Sequence, residues 1–128
     1  MTRPAPKTPN RSKSVRTLDK ISLREQDRRA VKAAAAILRQ QFPVEQVVLF
    51  GSKARGDDDA ESDIDLLVLT GRLMSWQERR EITNSLFDLQ LELEVVISTL
   101  IVPLEEWERG LYQVLPIRRE VEREGVAA

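Results

Sequence analysis

Short apolar segments alternate with amphipathic helical segments along this sequence, and this alternation is the strongest constraint on the fold. The apolar run over residues 47–50 and the mostly apolar segment over residues 64–70 contain β-branched residues and predict two buried strands. A third strand is predicted over residues 92–97. With 128 residues, the chain has room for one domain. Helices and strands in alternation indicate an α/β domain with a small sheet.

Helix start signals occur twice as the same pair of residue types. Ser22 is followed three residues later by Glu25, and Ser75 by Glu78, which is the capping-box pattern. Two shorter helices are predicted nearer the C-terminus, each beginning at a proline and ending at a glycine. The four predicted helices cover residues 22–41, 75–89, 103–110 and 116–124.

The first 20 residues differ in composition from the rest of the chain. They contain six Lys or Arg and one acid, whereas the whole chain has a net charge of −1. Three prolines and almost no large apolar side chain before Leu18 leave little surface to bury. Residues 1–20 are therefore predicted to be a disordered basic tail, and residues 21–128 the folded domain. The tail is either a solvated extension or an arm for nucleic acid or an acidic partner.

Cysteine and histidine are both absent from the sequence. Disulfides, thiolate zinc sites, cysteine nucleophiles and Ser-His-Asp triads are therefore excluded. The longest uncharged run has ten residues, which is too short to cross a bilayer. No apolar stretch follows the N-terminal basic residues as it would in a secretory signal, so we expect a cytoplasmic protein without membrane partners.

A Gly-Ser pair follows the first predicted strand. Gly51 permits close approach of the backbone to a ligand, and the Ser52 hydroxyl adds a hydrogen-bond donor to the free N–H groups of the turn. This corner is a candidate phosphate site. A Gly-Ser pair alone is also typical of ordinary turns.

Two aspartates flank Ile64 at the start of the second predicted strand. Strand alternation places Asp63 and Asp65 on one face, with Ile64 in the core on the other. Mg²⁺ commonly binds one or two protein carboxylates together with substrate phosphates, so this pair suits a magnesium nucleotide. The alternative is that the acidic residues between 57 and 65 form only a solvated loop.

Glu92 and Glu94 alternate in the same way on the third predicted strand. If that strand lies beside the one that carries Asp63 and Asp65, one glutamate completes a group of three carboxylates. Otherwise the two glutamates form the exposed face of an edge strand.

These motifs together resemble the signature of a known family. Gly51-Ser52-Lys53-Ala54-Arg55-Gly56, followed by Ser62-Asp63-Ile64-Asp65-Leu66, looks like the signature of the minimal nucleotidyltransferases of the DNA polymerase beta superfamily. The resemblance covers about residues 22–125. It implies a polymerase-beta-like fold, with a small mixed sheet flanked by helices, and Mg²⁺-dependent nucleotidyl transfer.

The resemblance also implies roles for single residues. Gly51 and Ser52 would hold the terminal phosphates of ATP, Asp63 and Asp65 would bind two Mg²⁺ ions, and Glu94 would be the third metal ligand. An acceptor hydroxyl would attack the α-phosphorus while pyrophosphate leaves.

Two of the implied roles leave alternatives open. Arg55 either stabilises phosphate charge or pairs with an acid near the loop. Glu94 stands where the family usually has Asp, and Glu92 is the second choice for the third ligand.

Small proteins of this type resemble the MNT antitoxins of HEPN/MNT toxin–antitoxin pairs. In those pairs, the MNT protein binds a HEPN-type RNase toxin and adds AMP to a tyrosine. The resemblance therefore implies a HEPN-type partner in a hetero-oligomer. The alternative is an antitoxin that neutralises its partner by binding alone, and nucleic acid remains a candidate partner only for the basic tail.

Overall fold

The computed structural model describes residues 16–59 and 61–128, and these residues form a mixed five-stranded sheet. The strands are β1 (Arg16–Thr17), β2 (Val44–Phe50), β3 (Ile64–Thr70), β4 (Ile97–Pro103) and β5 (Val126–Ala127). Their order in the sheet is β1-β5-β2-β3-β4. The neighbouring strands β2 and β3 are antiparallel, while β4 runs parallel to β3 and is an edge strand.

Six α-helices connect and cover the strands in the described part of the chain. They are α1 (Glu25–Gln41), α2 (Ser52–Arg55), α3 (Trp76–Ser85), α4 (Phe87–Leu93), α5 (Leu104–Arg109) and α6 (Pro116–Glu124).

Helices cover both faces of the sheet because β3 is apolar on both sides. Leu66 and Val68 face one core, to which α1 contributes Val31 and Leu38. Alternate residues of β3 face a second core with Trp107 of α5. The small α/β domain with a mixed sheet flanked by helices is therefore confirmed.

Most of the predicted elements are present. The strand predicted over residues 64–70 has those bounds, and the one predicted over 47–50 is the second half of β2. The capping box at Ser75 and Glu78 is confirmed. The one at Ser22 and Glu25 is wrong, because α1 begins only at Glu25, after Arg24, with no side-chain cap.

The third strand was predicted in the wrong place. Residues 87–93 form α4, and the strand begins only at Ile97. The Leu-Glu alternation over 91–94 has the period of a strand, but the buried positions Ile82, Leu86 and Leu93 continue the helical spacing. The predicted helix over 75–89 is consequently two helices, separated at Leu86.

The predicted tail boundary also needs correction. Arg16 and Thr17 pair with β5, and residues 18–20 form a 3-10 turn with Leu18 buried. Arg16 donates to the carbonyl oxygens of Ala54 and Glu124, which ties this segment to the domain. The ordered domain therefore includes residues 16–20, and the remainder of the predicted tail, residues 1–15, lies outside the described residues.

Among the residues that the structure describes, no helix is both long and apolar enough to cross a membrane.

Candidate active site

The predicted phosphate corner is a tight turn between β2 and α2. Gly51 has φ 81° and ψ −159°, a conformation that favours glycine, and Ser52 begins α2 directly after it. A Cβ at position 51 would overlap the carboxylate of Asp65. Glycine therefore lets the strand that carries Asp65 lie directly against the turn.

Asp63 and Asp65 lie where β3 begins, beside this turn. Asp65 pairs with Phe50 in the antiparallel ladder, so it is the neighbour of the last residue of β2. Ile64 is buried, as predicted, whereas Asp65 is half-buried and Asp63 is exposed. The structure thus brings Gly51 and Asp65 together where β2 ends and β3 begins, with Asp63 directly before β3.

Burial is the main cause of a raised pKa at Asp65, and the nearby charges of Asp63 and Glu120 raise it further. The positive charge of Arg55 acts in the opposite direction. The negative charge of Asp65 is therefore less well stabilised than that of a free aspartate, and a divalent ion beside it would stabilise that charge.

Glu94 is not on a strand, contrary to the prediction. It ends α4 in the left-handed conformation, with φ 56° and ψ 48°, and its side chain is exposed. The β4 residue in register with Asp65 is Ser98. Within residues 16–59 and 61–128, no three carboxylates lie close enough together to hold a metal ion. The assignment of Glu94, or of Glu92 on α4, as third ligand therefore stays a prediction.

Arg55 connects α2 to α6. Its guanidinium lies 2.9 Å from the nearly buried Glu124, 3.6 Å from Glu120 and 3.1 Å from Asp57. The hydrogen bond to Glu124 is the largest cause of a raised pKa at Arg55. Arg55 therefore pairs with acids near the loop, which is one of the two predicted roles. A contact between Arg55 and phosphate stays a prediction.

Sequence reasoning missed the buried cation beside the turn. Lys53, only 2% exposed, lies 2.8 Å from Asp27 on α1 and 3.2 Å from Asp58 in the loop that leads to β3. Arg24 also binds Asp58, at 2.6 Å. A signal was present in the sequence, because Asp27 occupies a core-facing position of the first helix and a buried carboxylate needs a cation.

The arrangement combines a tight Gly-Ser turn at the start of a short helix with the carboxylates of Asp63 and Asp65 at the start of β3. A turn of this kind can hold phosphate oxygens, and the carboxylates can hold a hard cation that bridges to the same phosphates. Such a site suits reactions at a phosphorus atom. The chain contains no histidine or cysteine that could act as general base or nucleophile.

Comparisons with known proteins point to one family. A model of the "Polymerase beta, Nucleotidyltransferase" family matches residues 32–106, which include the turn and both aspartates. A protein of Methanocaldococcus jannaschii, named as a candidate protein adenylyltransferase, is 36% identical over 70 residues, or 55% of this chain and 69% of that protein.

Two solved structures share the fold. One, described as a candidate minimal nucleotidyltransferase, is 26% identical, with a TM-score of 0.55 over 88% of this chain and 96% of that one. The other is a complex of a tri-AMPylated HEPN toxin with an MNT antitoxin from Shewanella oneidensis. It matches with a TM-score of 0.50 and 19% identity, over 80% of this chain and 70% of that one. Since the family model covers more than half of the sequence, this chain belongs to the polymerase beta nucleotidyltransferase family.

Proposed function

We propose that this nucleotidyltransferase uses Mg²⁺ and ATP to transfer AMP to a tyrosine hydroxyl of a HEPN-type toxin, and so acts as its antitoxin. The observation that carries the proposal is the Gly51 turn packed against Asp65, with Asp63 directly before the strand. The naming of the Methanocaldococcus relative supports AMP transfer to protein. The fold shared with the HEPN–MNT complex supports the class of partner.

The site residues fit Mg²⁺ in their chemistry. Asp63 and Asp65 supply oxygen ligands, and their mutual repulsion at a half-buried edge favours a bound cation. Two protein carboxylates suffice where nucleotide phosphates complete the coordination. When bound, Mg²⁺ would neutralise charge on the phosphates and on the entering and leaving oxygens.

The side chains of the turn and of β3 would then position the reactants. The Ser52 hydroxyl and the backbone N–H groups after Gly51 would hold the terminal phosphates. The acceptor oxygen would form a bond to the α-phosphorus, the bond from that phosphorus to the β-phosphate oxygen would break, and pyrophosphate would leave. Glu94, on the resemblance to the family, would help to take the hydroxyl proton.

Labelled ATP tests the proposed reaction. The purified chain is incubated with the product of the gene adjacent to its own and with ATP labelled at either the α- or the γ-phosphate. We expect label from the α-phosphate only, Mg²⁺ dependence, and a loss of about 10²- to 10³-fold for Asp63→Asn/Asp65→Asn. Glu105→Gln, an exposed carboxylate on α5, is the matched control and should leave transfer unchanged. Label from the γ-phosphate, or equal transfer by the aspartate variant, would contradict the proposal.

The same assay tests whether Glu94 is the third carboxylate ligand. Glu94→Asp should retain transfer, because the shorter acid is the residue usual in the family. Glu94→Ala should lower transfer by about 10²-fold, the order of loss for a misplaced reacting group. Transfer by Glu94→Ala at the rate of the unchanged chain would remove Glu94 from the mechanism.

A second candidate function is neutralisation by binding alone. The observation in its favour is that no group of three carboxylates is assembled in the described part of the chain. This alternative predicts that the partner is bound and silenced equally by the unchanged chain and by Asp63→Asn/Asp65→Asn, with no label transferred.

A further inference from the structure

An exposed apolar strip lies on α4 and on the turn that follows it. It consists of Phe87, Leu91 and Val96, which are 58%, 63% and 58% exposed. Phe87 and Leu91 are four residues apart in one helix and therefore lie on the same face. Single exposed apolar residues are ordinary, but three large ones in a ten-residue span indicate an interaction surface.

The strip extends to the start of β3, where the candidate active site lies. The Val96 carbonyl accepts a hydrogen bond of 2.8 Å from the backbone N–H of Ile64, the residue between the two aspartates. Gln90 of α4 fixes the turn, since its side-chain oxygen accepts from Ile97 N at 2.8 Å and its carbonyl accepts from Val95 N at 3.1 Å. Val96 therefore lies next to the start of β3.

A second set of contacts joins the same regions. Gln26, in the first turn of α1, donates to the Leu93 carbonyl at the end of α4. Arg24, directly before α1, binds Asp58 in the loop that leads to Asp63. Side-chain contacts thus join the start of α1 both to the end of α4 and to the active-site loop, and these three segments are called the rim.

The charges around the strip favour a basic protein partner. Residues 81–100 contain four acids, Glu81, Asp88, Glu92 and Glu94, all of them exposed, and no Lys or Arg. A nucleic acid or an anionic membrane surface would be repelled by this charge. Arg24, at the start of α1, is already paired with Asp58. A protein face with apolar side chains flanked by Lys or Arg would therefore complement the strip and these four acids.

We propose that the strip is the docking surface for the protein substrate, which presents an apolar face flanked by basic residues. This inference rests on the proposed function for the identity of the substrate. Docking here would hold the accepting hydroxyl beside Asp63 and Asp65 at the start of β3. The strip would then provide binding affinity, and the two carboxylates would bind the Mg²⁺ that the reaction uses.

Binding by a catalytically inactive chain tests this proposal separately from the reaction. In an Asp63→Asn/Asp65→Asn background, Phe87→Asp/Leu91→Asp is compared with Leu111→Asp/Val114→Asp. The control pair is 67% and 75% exposed and lies in the 3-10 turn after α5, on the other side of the sheet. The probe is the product of the adjacent gene, and affinity is measured by titration calorimetry, with circular dichroism as the check of folding.

We expect the strip variant to lose about tenfold or more in affinity while the control pair keeps it. In the active chain, the strip variant should raise the KM for the protein substrate and leave the KM for ATP unchanged. Equal affinity of both variants would overturn the proposal, as would an equal loss in both. A strip variant that only abolishes self-association of this chain would also overturn it, in favour of a second copy as the occupant. Failure of label transfer by the unchanged chain would overturn the proposed function and leave the binding result valid.

Discussion

At the scale of single residues, the buried Lys53 joins three parts of the site. Its ammonium group contacts Asp27 on α1 and Asp58 in the loop before β3, while its own backbone belongs to α2. A buried charge without partners is costly, so the ion pairs hold these parts in one arrangement. The lysine thereby fixes the loop that leads from the turn to Asp63.

Removal of this cation should destabilise the domain strongly. Lys53→Met leaves the buried carboxylate of Asp27 without its closest partner, and we expect the free energy of unfolding to fall by about 3 kcal/mol or more. Asp27→Leu/Lys53→Met removes both charges and should recover most of that loss. Guanidinium unfolding of the three proteins measures the difference. A single variant as stable as the unchanged chain would show that the pair contributes nothing.

At the scale of elements, α3 begins with an acidic cap that depends on pH. The Glu78 side chain accepts a hydrogen bond from Ser75 N at 2.8 Å and pairs with Arg72 at 2.7 Å. Arg72 is the largest cause that lowers the pKa of Glu78 to about 2 from 4.5. Because the pKa is lower in the folded state, the stabilisation is present above pH 4.5 and is lost as the pH falls toward 2.

The comparison of Glu78→Gln with the unchanged chain tests this cap. At neutral pH, the variant should melt at a lower temperature, and the difference should shrink as the pH falls from about 4.5 toward 2. Glu81→Gln, an exposed residue of the same helix, should show no such trend. A difference that is constant across this pH range would contradict the role of the charged cap.

Sequence patterns were sufficient to predict some helices and strands and insufficient for others. β3 has the predicted bounds because a mostly apolar seven-residue segment that is buried on both faces fits few alternatives. The strand predicted over residues 92–97 was wrong because the Leu-Glu alternation that suggested it is short. The packing of α4 against α1 decides the conformation of this segment instead. The capping box predicted at Ser22 and Glu25 is absent, although the same residue types form one at Ser75 and Glu78. The residue that precedes α1 is Arg24, and its side chain makes no capping hydrogen bond.

At the scale of the whole molecule, the candidate site is built from the ends of several elements. The turn after β2 and the start of β3 were predicted together, because their spacing and residue types are local signals. The approach of α6 was not predicted, since Glu120 and Glu124 meet Arg55 across more than 60 residues of sequence. Such long-range ion pairs leave no periodic pattern in a single sequence.

At the same scale, the proposed reaction requires a second protein to supply the accepting hydroxyl. Within the described residues, the chain forms one sheet with two cores, and the apolar strip lies beside the site with its side chains exposed. The proposed partner would supply both this hydroxyl and the surface that covers the strip.

The intact mass of the partner would show directly whether AMP is transferred to it. The product of the adjacent gene is co-expressed once with the unchanged chain and once with Asp63→Ala/Asp65→Ala, and each sample is weighed by mass spectrometry. We expect the partner to gain whole AMP units with the unchanged chain only. No gain in mass, with the partner bound and silenced by both versions, would contradict it and identify an antitoxin that acts by binding.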